Sequence, residues 1–200
     1  MSFRIKSDII QAMKKLYQTQ LITMRDGNIS FKPKNENYFY ISAGSVKKHE
    51  LTQKQIIKVN FDKMKNISYD KSYEYQPSRE LFMHSFLHTS DNNYNKNTFI
   101  VHAHPKNIIS FMGMNPDQRR ELNSIKTFFP EINVGPIGKN VLFHEAGSLE
   151  LAKNCYDNLK NNDIVGLERH GSLSIDSDLN KIYENLETLE YYIDAYLKSM

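Results

Sequence analysis

Thr98-Phe99-Ile100-Val101-His102-Ala103-His104-Pro105 is the stretch on which the reading of this chain turns. It is an apolar run that ends in two histidines and a proline. A run of this length bounded by proline suits a buried strand over Thr98 to Ala103. Pro105 suits the first turn of a helix through about Met112, because the N–H it lacks has no partner at a helix start. Residues two apart on a strand share a face, so His102 and His104 point the same way. In α/β sheets ligands gather beyond the carboxyl ends of strands. Two neutral imidazoles placed there can share one divalent metal, and three protein ligands with an open position is the usual catalytic zinc arrangement. A His-x-His pair also occurs in structural and surface settings, so a third ligand has to be sought elsewhere.

Working outward, Ile5, Ile9, Ile10, Met13, Leu16 and Tyr17 recur at helical spacing and predict an amphipathic first helix. Asp26-Gly27 signals a turn. Ile29 to Phe31, Tyr38 to Ser42 and Ile56 to Phe61 read as strands, and Asp62 to Gln76 as a polar connection. Ser78 is a candidate N-cap for a helix whose apolar side is Leu81, Phe82, Phe86 and Leu87. Downstream of Met112, Ser148 to Leu159 is helical, Ile164 to Leu167 and Ser172 to Ile175 are strands around His170-Gly171, and Leu179 to Leu197 marks a long final helix. Strands and helices mixed in this irregular order predict a layered α/β fold, not a barrel or a bundle.

Length and composition bound the answer. A chain of 200 residues fits one domain, 1–200, able to bury about 70% of its unfolded surface. With 40% hydrophobic and 24% charged residues it is globular and not disordered. The formal net charge is only +3 and the signs are interspersed, which argues against nucleic acid as a partner. A modest positive excess suits an anionic small substrate. Cys155 is the only cysteine, so no intramolecular disulfide forms, in keeping with a reducing, cytoplasmic setting. It falls in a helical pattern and reads as a small core residue. No window approaches 18 apolar residues, which gives no sign of export or of a membrane span.

His170 follows an apolar strand and precedes Gly171, a residue that permits close backbone approach. Taken alone it reads more readily as a turn histidine than as a ligand. His84 and His88 lie four apart on one helix face, but no Glu follows the first, so the metalloprotease pattern is absent. They read as structural or as supports for other groups, and His49 and His144 have no supporting context. A cupin barrel would want a Glu shortly after His104, where the chain has Pro105, Lys106, Asn107 and Ile108. A His-x-His amidohydrolase needs a barrel of about 250 residues with its pair near the start. Glu80, on its own, is a first-turn glutamate favoured by the helix dipole.

Five segments taken in order resemble the class II aldolase/adducin family. They are Gly27-Asn28-Ile29-Ser30, Ile41-Ser42-Ala43-Gly44-Ser45, Pro77-Ser78-Arg79-Glu80, His102-Ala103-His104 and His170-Gly171. Each is short, but their order and spacing are specific, and the flanking helices extend the resemblance over nearly the whole chain. The resemblance implies an α/β/α sandwich around a mainly antiparallel sheet and a homotetramer with active sites between subunits. It makes His102, His104 and His170 the ligands of one zinc ion per chain and Glu80 the catalytic acid/base. Asn28, Ser42 and Ser78, with backbone from Gly44-Ser45, match positions that hold the substrate phosphate. The implied activity is retro-aldol cleavage of a small, anionic sugar phosphate or related ketose through a metal-stabilised enediolate. A sugar-phosphate 4-epimerase, a dehydratase on the same site and a non-catalytic adducin-like module are the alternatives.

The sequence departs from the family pattern in three places. The second turn usually reads Ser/Thr-Gly, and here Gly44-Ser45 reverses it. Arg79 stands before the carboxylate where Ser, Lys or Thr is usual, and its guanidinium could grip an anion with two parallel bonds. The family's aldolases place a tyrosine over the neighbouring site, yet there is no tyrosine between Tyr94 and Tyr156.

Overall fold

The computed structural model describes residues 2–113, 115, 117 and 119–200. The chain opens with helix α1 (Ser2–Gln18), followed by strands β1 (Asn28–Lys32), β2 (Tyr38–Ser42), β3 (Ile56–Phe61) and β4 (Ile67–Ser68). Helices α2 (Leu81–His88) and α3 (Asp91–Tyr94) lead to β5 (Thr98–Ala103) and α4 (Lys106–Met112). After α5 (Ile125–Phe128) and α6 (Leu149–Leu159), a pair of strands, β6 (Ile164–Leu167) and β7 (Gly171–Asp176), precedes α7 (Leu179–Lys198).

The seven strands form one sheet in the order β4-β3-β2-β1-β5-β7-β6, and every neighbouring pair is antiparallel. Strand alternation divides its two faces. Ile29 and Phe31 of β1 and Val101 and Ala103 of β5 join the core shared with α1, α4 and α7. Ile100 of β5 and Leu173 of β7 join the second core, with Met83 and Leu87 of α2 and Leu151, Ala152 and Cys155 of α6. The result is the α/β/α sandwich around an antiparallel sheet that the sequence led us to expect. Cys155 is fully buried, and burial with the nearby Glu80 charge pushes its thiol well up, so it is an inert core residue.

Two local expectations change. Ser78 does not cap α2: Glu80 occupies the N-cap position, and the Ser78 hydroxyl accepts from the Glu80 N–H at 3.3 Å instead. The inward face of α2 is also less apolar than expected. Met83, His84, Ser85, Leu87 and His88 are buried, while Phe82 is 44% exposed. The reason lies in β1, whose Asn28, Ser30 and Lys32 face α2 with polar side chains, so matching polar groups bury better there than phenylalanine does. The connection Asp62 to Gln76 holds only the two-residue edge strand β4.

Candidate metal centre

His102 sits near the end of β5, only 1% exposed, on the face that also carries Ile100. Its Nδ1 donates to the carbonyl oxygen of Ser172 on β7 at 2.9 Å, which leaves Nε2 with the lone pair. His104, one residue past the strand, donates its backbone N–H to Leu21 O at 3.0 Å. Its Nε2 stands 2.8 Å from His102 Nε2, and its Nδ1 is 3.7 Å from Asp26 Oδ2.

His170 reaches the same place from the β6–β7 turn. Its N–H donates to Leu167 O at 3.1 Å, and Arg169 before it takes a left-handed φ of 55°. Gly171 allows β7 to close on β5, because a Cβ there would collide with Ala103 O. The His170 ring centroid lies 4.7 Å from that of His102 and 5.2 Å from that of His104. One ligand nitrogen from each of the three falls within 4.8 Å of the others.

Burial holds all three imidazoles below their ordinary range. Burial lowers His102 well below that range, with His104 and His170 adding to the effect. Burial takes His170 down to about 4, and lowers His104 against the opposing charge of Asp26. Three neutral rings therefore turn lone pairs into one small space, and the most buried is oriented by an N–H bond to a carbonyl. That donor set, with its backing bond, fits a divalent cation that takes nitrogen ligands.

Glu80 adjoins this cluster. Its Oε1 lies 3.8 Å from His170 Nε2, and its Oε2 accepts from Gly147 N–H at 3.2 Å. Gly147 takes a φ of 80°, and a Cβ there would come within 2.9 Å of Arg79 O. Burial raises the Glu80 pKa, opposed by the Gly147 N–H and the Arg79 charge, which moves the carboxyl toward the range where it can both take and give a proton.

The residues matched to the phosphate pocket gather beside it. Ser42 Oγ accepts from Ile29 N–H at 3.2 Å, and Ser78 Oγ accepts from Glu80 N–H, so each hydroxyl keeps its hydrogen for a ligand. Asn28 Oδ1 lies in hydrogen-bond contact with His84 Nε2. A bridge between Ala43 and Pro77 brings the two loops together. Gly44 N–H is already donated to Gln76 O at 3.0 Å, whereas Ser45 N–H has no protein acceptor among the described residues. Gly44 sits where a Cβ would lie 3.1 Å from Pro77 O, and Ser45 takes a φ of 55°, so the reversed turn puts its non-glycine residue at the left-handed position. Arg79 is exposed and, among the described residues, pairs with no carboxylate.

Asp26 beside His104, Ser172 behind His102 and Gly147 on Glu80 were not legible as site residues. Asp26 carried only a turn signal with Gly27, and Gly147 is a glycine just before a helix N-cap.

Comparison with solved structures shows what kind of fold this is. A sugar-phosphate aldolase from Thermotoga maritima superposes with a TM-score of 0.75 at 21% identity, over 98% of this chain and 94% of that one. L-fuculose-1-phosphate aldolase from Thermus thermophilus gives 0.70 at 20% identity, over 98% and 94%. The N-terminal class II aldolase domain of a conserved protein from Thermoplasma acidophilum gives 0.69 at 15%, over 94% and 92%. At these identities the likeness is one of fold. The sequence itself matches the model of the class II aldolase and adducin N-terminal domain over residues 7–197, and the chain belongs to that family. A comparison with curated protein sequences returned no match. Class II aldolases are metal-dependent, and the superfamily, largely of lyases, also contains epimerases and non-catalytic members. No described helix is long and apolar enough to cross a membrane.

Proposed function

We propose that the chain is a metal-dependent carbon–carbon lyase that cleaves a small sugar phosphate or related ketose in the retro-aldol direction. The observation that carries this reading is the convergence of the His102, His104 and His170 nitrogens within 4.8 Å, with Glu80 3.8 Å from the third. These three would hold one zinc ion, which when bound supplies positive charge beside the carbonyl and hydroxyl oxygens of a ketose. Glu80 is the acid/base: its Oε2 is tied to Gly147 and its Oε1 faces the cluster, so a proton at Oε1 can be exchanged with substrate. Asn28, Ser42, Ser78 and the Gly44-Ser45 turn offer donors to the anionic end of the substrate, and Arg79 adds a charge at its rim. Held at that end, a ketose has its reacting carbons fixed against Glu80.

A single domain over residues 1–200, a homotetramer and a cytoplasmic location belong to the same reading, and rest on the family. A 4-epimerase would use the same residues, since it breaks and remakes one such bond.

The test joins metal analysis of the purified protein to a panel of phosphorylated and unphosphorylated ketoses and hydroxy acids, scored for aldehyde release and for epimer formation. Stoichiometric zinc with aldehyde released from a ketose supports the reading. A protein without stoichiometric metal and without turnover on the panel overturns it, in favour of a non-catalytic module.

A further inference from the structure

Asn28, Ser30 and Lys32 alternate along β1 and so share the face toward α2. His84 and His88, four apart on α2, face them, and neither ring has exposed surface. An unbroken hydrogen-bond chain results. It runs from Asn28 Oδ1 to His84 Nε2, from His84 Nδ1 to Ser30 Oγ at 2.6 Å, and from Ser30 Oγ to His88 Nε2 at 2.6 Å. Its inner end, His88 Nδ1, is buried with no partner among the described residues, and the Phe39 ring packs against that imidazole at 4.8 Å.

The inner end decides which way the hydrogens point. Burial keeps both rings neutral, His84 at about 3 and His88 further held down by His84 and Lys32, so each ring has a single N–H. If Asn28 donated inward, His84 would donate to Ser30, and the chain would end either in a buried His88 Nδ1–H facing nothing or in a Ser30 hydroxyl hydrogen without an acceptor among the described residues. In the opposite direction His88 finishes with an idle lone pair. An orphaned buried donor is the rarer and costlier defect. The chain therefore runs outward: His88 Nε2–H to Ser30 Oγ, Ser30 O–H to His84 Nδ1, and His84 Nε2–H to Asn28 Oδ1.

The geometry points to His84 as a positioning residue that holds Asn28 by its oxygen and so aims the Asn28 amide hydrogens at the anionic end of the substrate. The inference rests on the anion pocket of the proposed function. An asparagine free to flip would turn its carbonyl oxygen toward the anion half the time and repel it. Held from behind by His84, it only donates. The specificity of this corner of the site for anions over neutral hydroxyl groups would then originate in two histidines that no ligand touches.

The experiment has two independent arms. In the wild-type protein, nitrogen-15 NMR of the imidazoles should show His84 and His88 both protonated at Nε2 with bare Nδ1. Protonation of His84 at Nδ1 overturns the proposal outright. In the second arm inorganic phosphate is titrated calorimetrically into the wild type, His84→Gln and His84→Asn. A glutamine amide can stand in for Nε2 and still donate to Asn28, whereas an asparagine amide mimics Nδ1 and reaches only Ser30. The Gln variant should bind phosphate within about 3-fold of wild type and the Asn variant at least ~10-fold more weakly, a loss of about 1.4 kcal/mol. Equal losses in both variants would make His84 a purely structural residue and overturn the positioning role. If the wild type holds no phosphate, the anion-pocket reading fails, and the direction of the chain is decided by the ring nitrogens alone.

Discussion

His102 donates its Nδ1 hydrogen to the carbonyl oxygen of Ser172 at 2.9 Å, and that bond sets which nitrogen faces His104 and His170. A ring so fixed presents Nε2 as a lone pair whatever the solvent does. The purified protein should therefore carry one zinc ion per chain. His102→Ala/His104→Ala should lose it, read by elemental analysis against protein concentration. Stoichiometric metal retained by the double variant would remove these residues from the centre.

Glu80→Gln keeps the shape of the side chain and can still meet Gly147, but it cannot carry a proton to and from substrate. The variant should keep its metal and its fold and turn over ~100-fold or more slowly, as loss of a general acid/base does. The measurement is kcat on the substrate found in the ketose panel, beside metal content and circular dichroism. Near-normal kcat would take Glu80 out of the mechanism.

Arg79 is exposed and unpaired with carboxylates among the described residues, and stands next to Ser78, at the rim of the anion pocket proposed above. Arg79→Ala should raise KM for a charged substrate several-fold while kcat changes less, because the contact is mostly to the ground state. Unchanged KM together with unchanged inhibition by phosphate would mark Arg79 as a surface residue.

Ser45 holds a left-handed φ of 55°, which costs a residue with a Cβ about 1–2 kcal/mol. Glycine removes that cost and returns part of it as unfolded-chain entropy. Ser45→Gly should leave the protein more stable by about 0.5–1 kcal/mol in denaturant unfolding. A destabilised variant would show that the Ser45 side chain makes a contact worth more than its backbone strain.

Lys48 is 2% exposed, donates from Nζ to Ala43 O at 2.6 Å, and has its pKa pushed down by burial from 10.5 to about 8, against the charge of Asp26. Its folded pKa lies below its unfolded one. Between about pH 8 and 10.5 the unfolded chain therefore binds the extra proton, and stability rises with pH. Below pH 8 both states are charged and the dependence vanishes. Relative to Lys48→Met, the wild type should gain on the order of 2 kcal/mol between pH 7.5 and 10, measured by paired denaturant curves. A flat difference would place the Lys48 ammonium in contact with water.

Much of this protein is legible in local periodicity. The period of two put His102 and His104 on one face, and the period of 3.6 marked α1 and α7, because both patterns depend only on neighbours along the chain. The family motifs added His170, Glu80 and the anion residues by resemblance. Which groups meet was decided by the sheet order, which sets β1 and β7 on either side of β5 and so places Asn28 and Ser172 next to His102. His84 and His88, four apart on one helix face, read as structural residues or supports for other groups, with no partner identifiable. They became a buried network only because β1 turns Asn28 and Ser30 toward them, 56 and 54 residues away from His84 in sequence. Gly147 reaching Glu80 across 67 residues is of the same kind. A hydrogen bond between distant segments leaves no trace in the periodicity of either one, since each must satisfy its polar groups but nothing local says with whom.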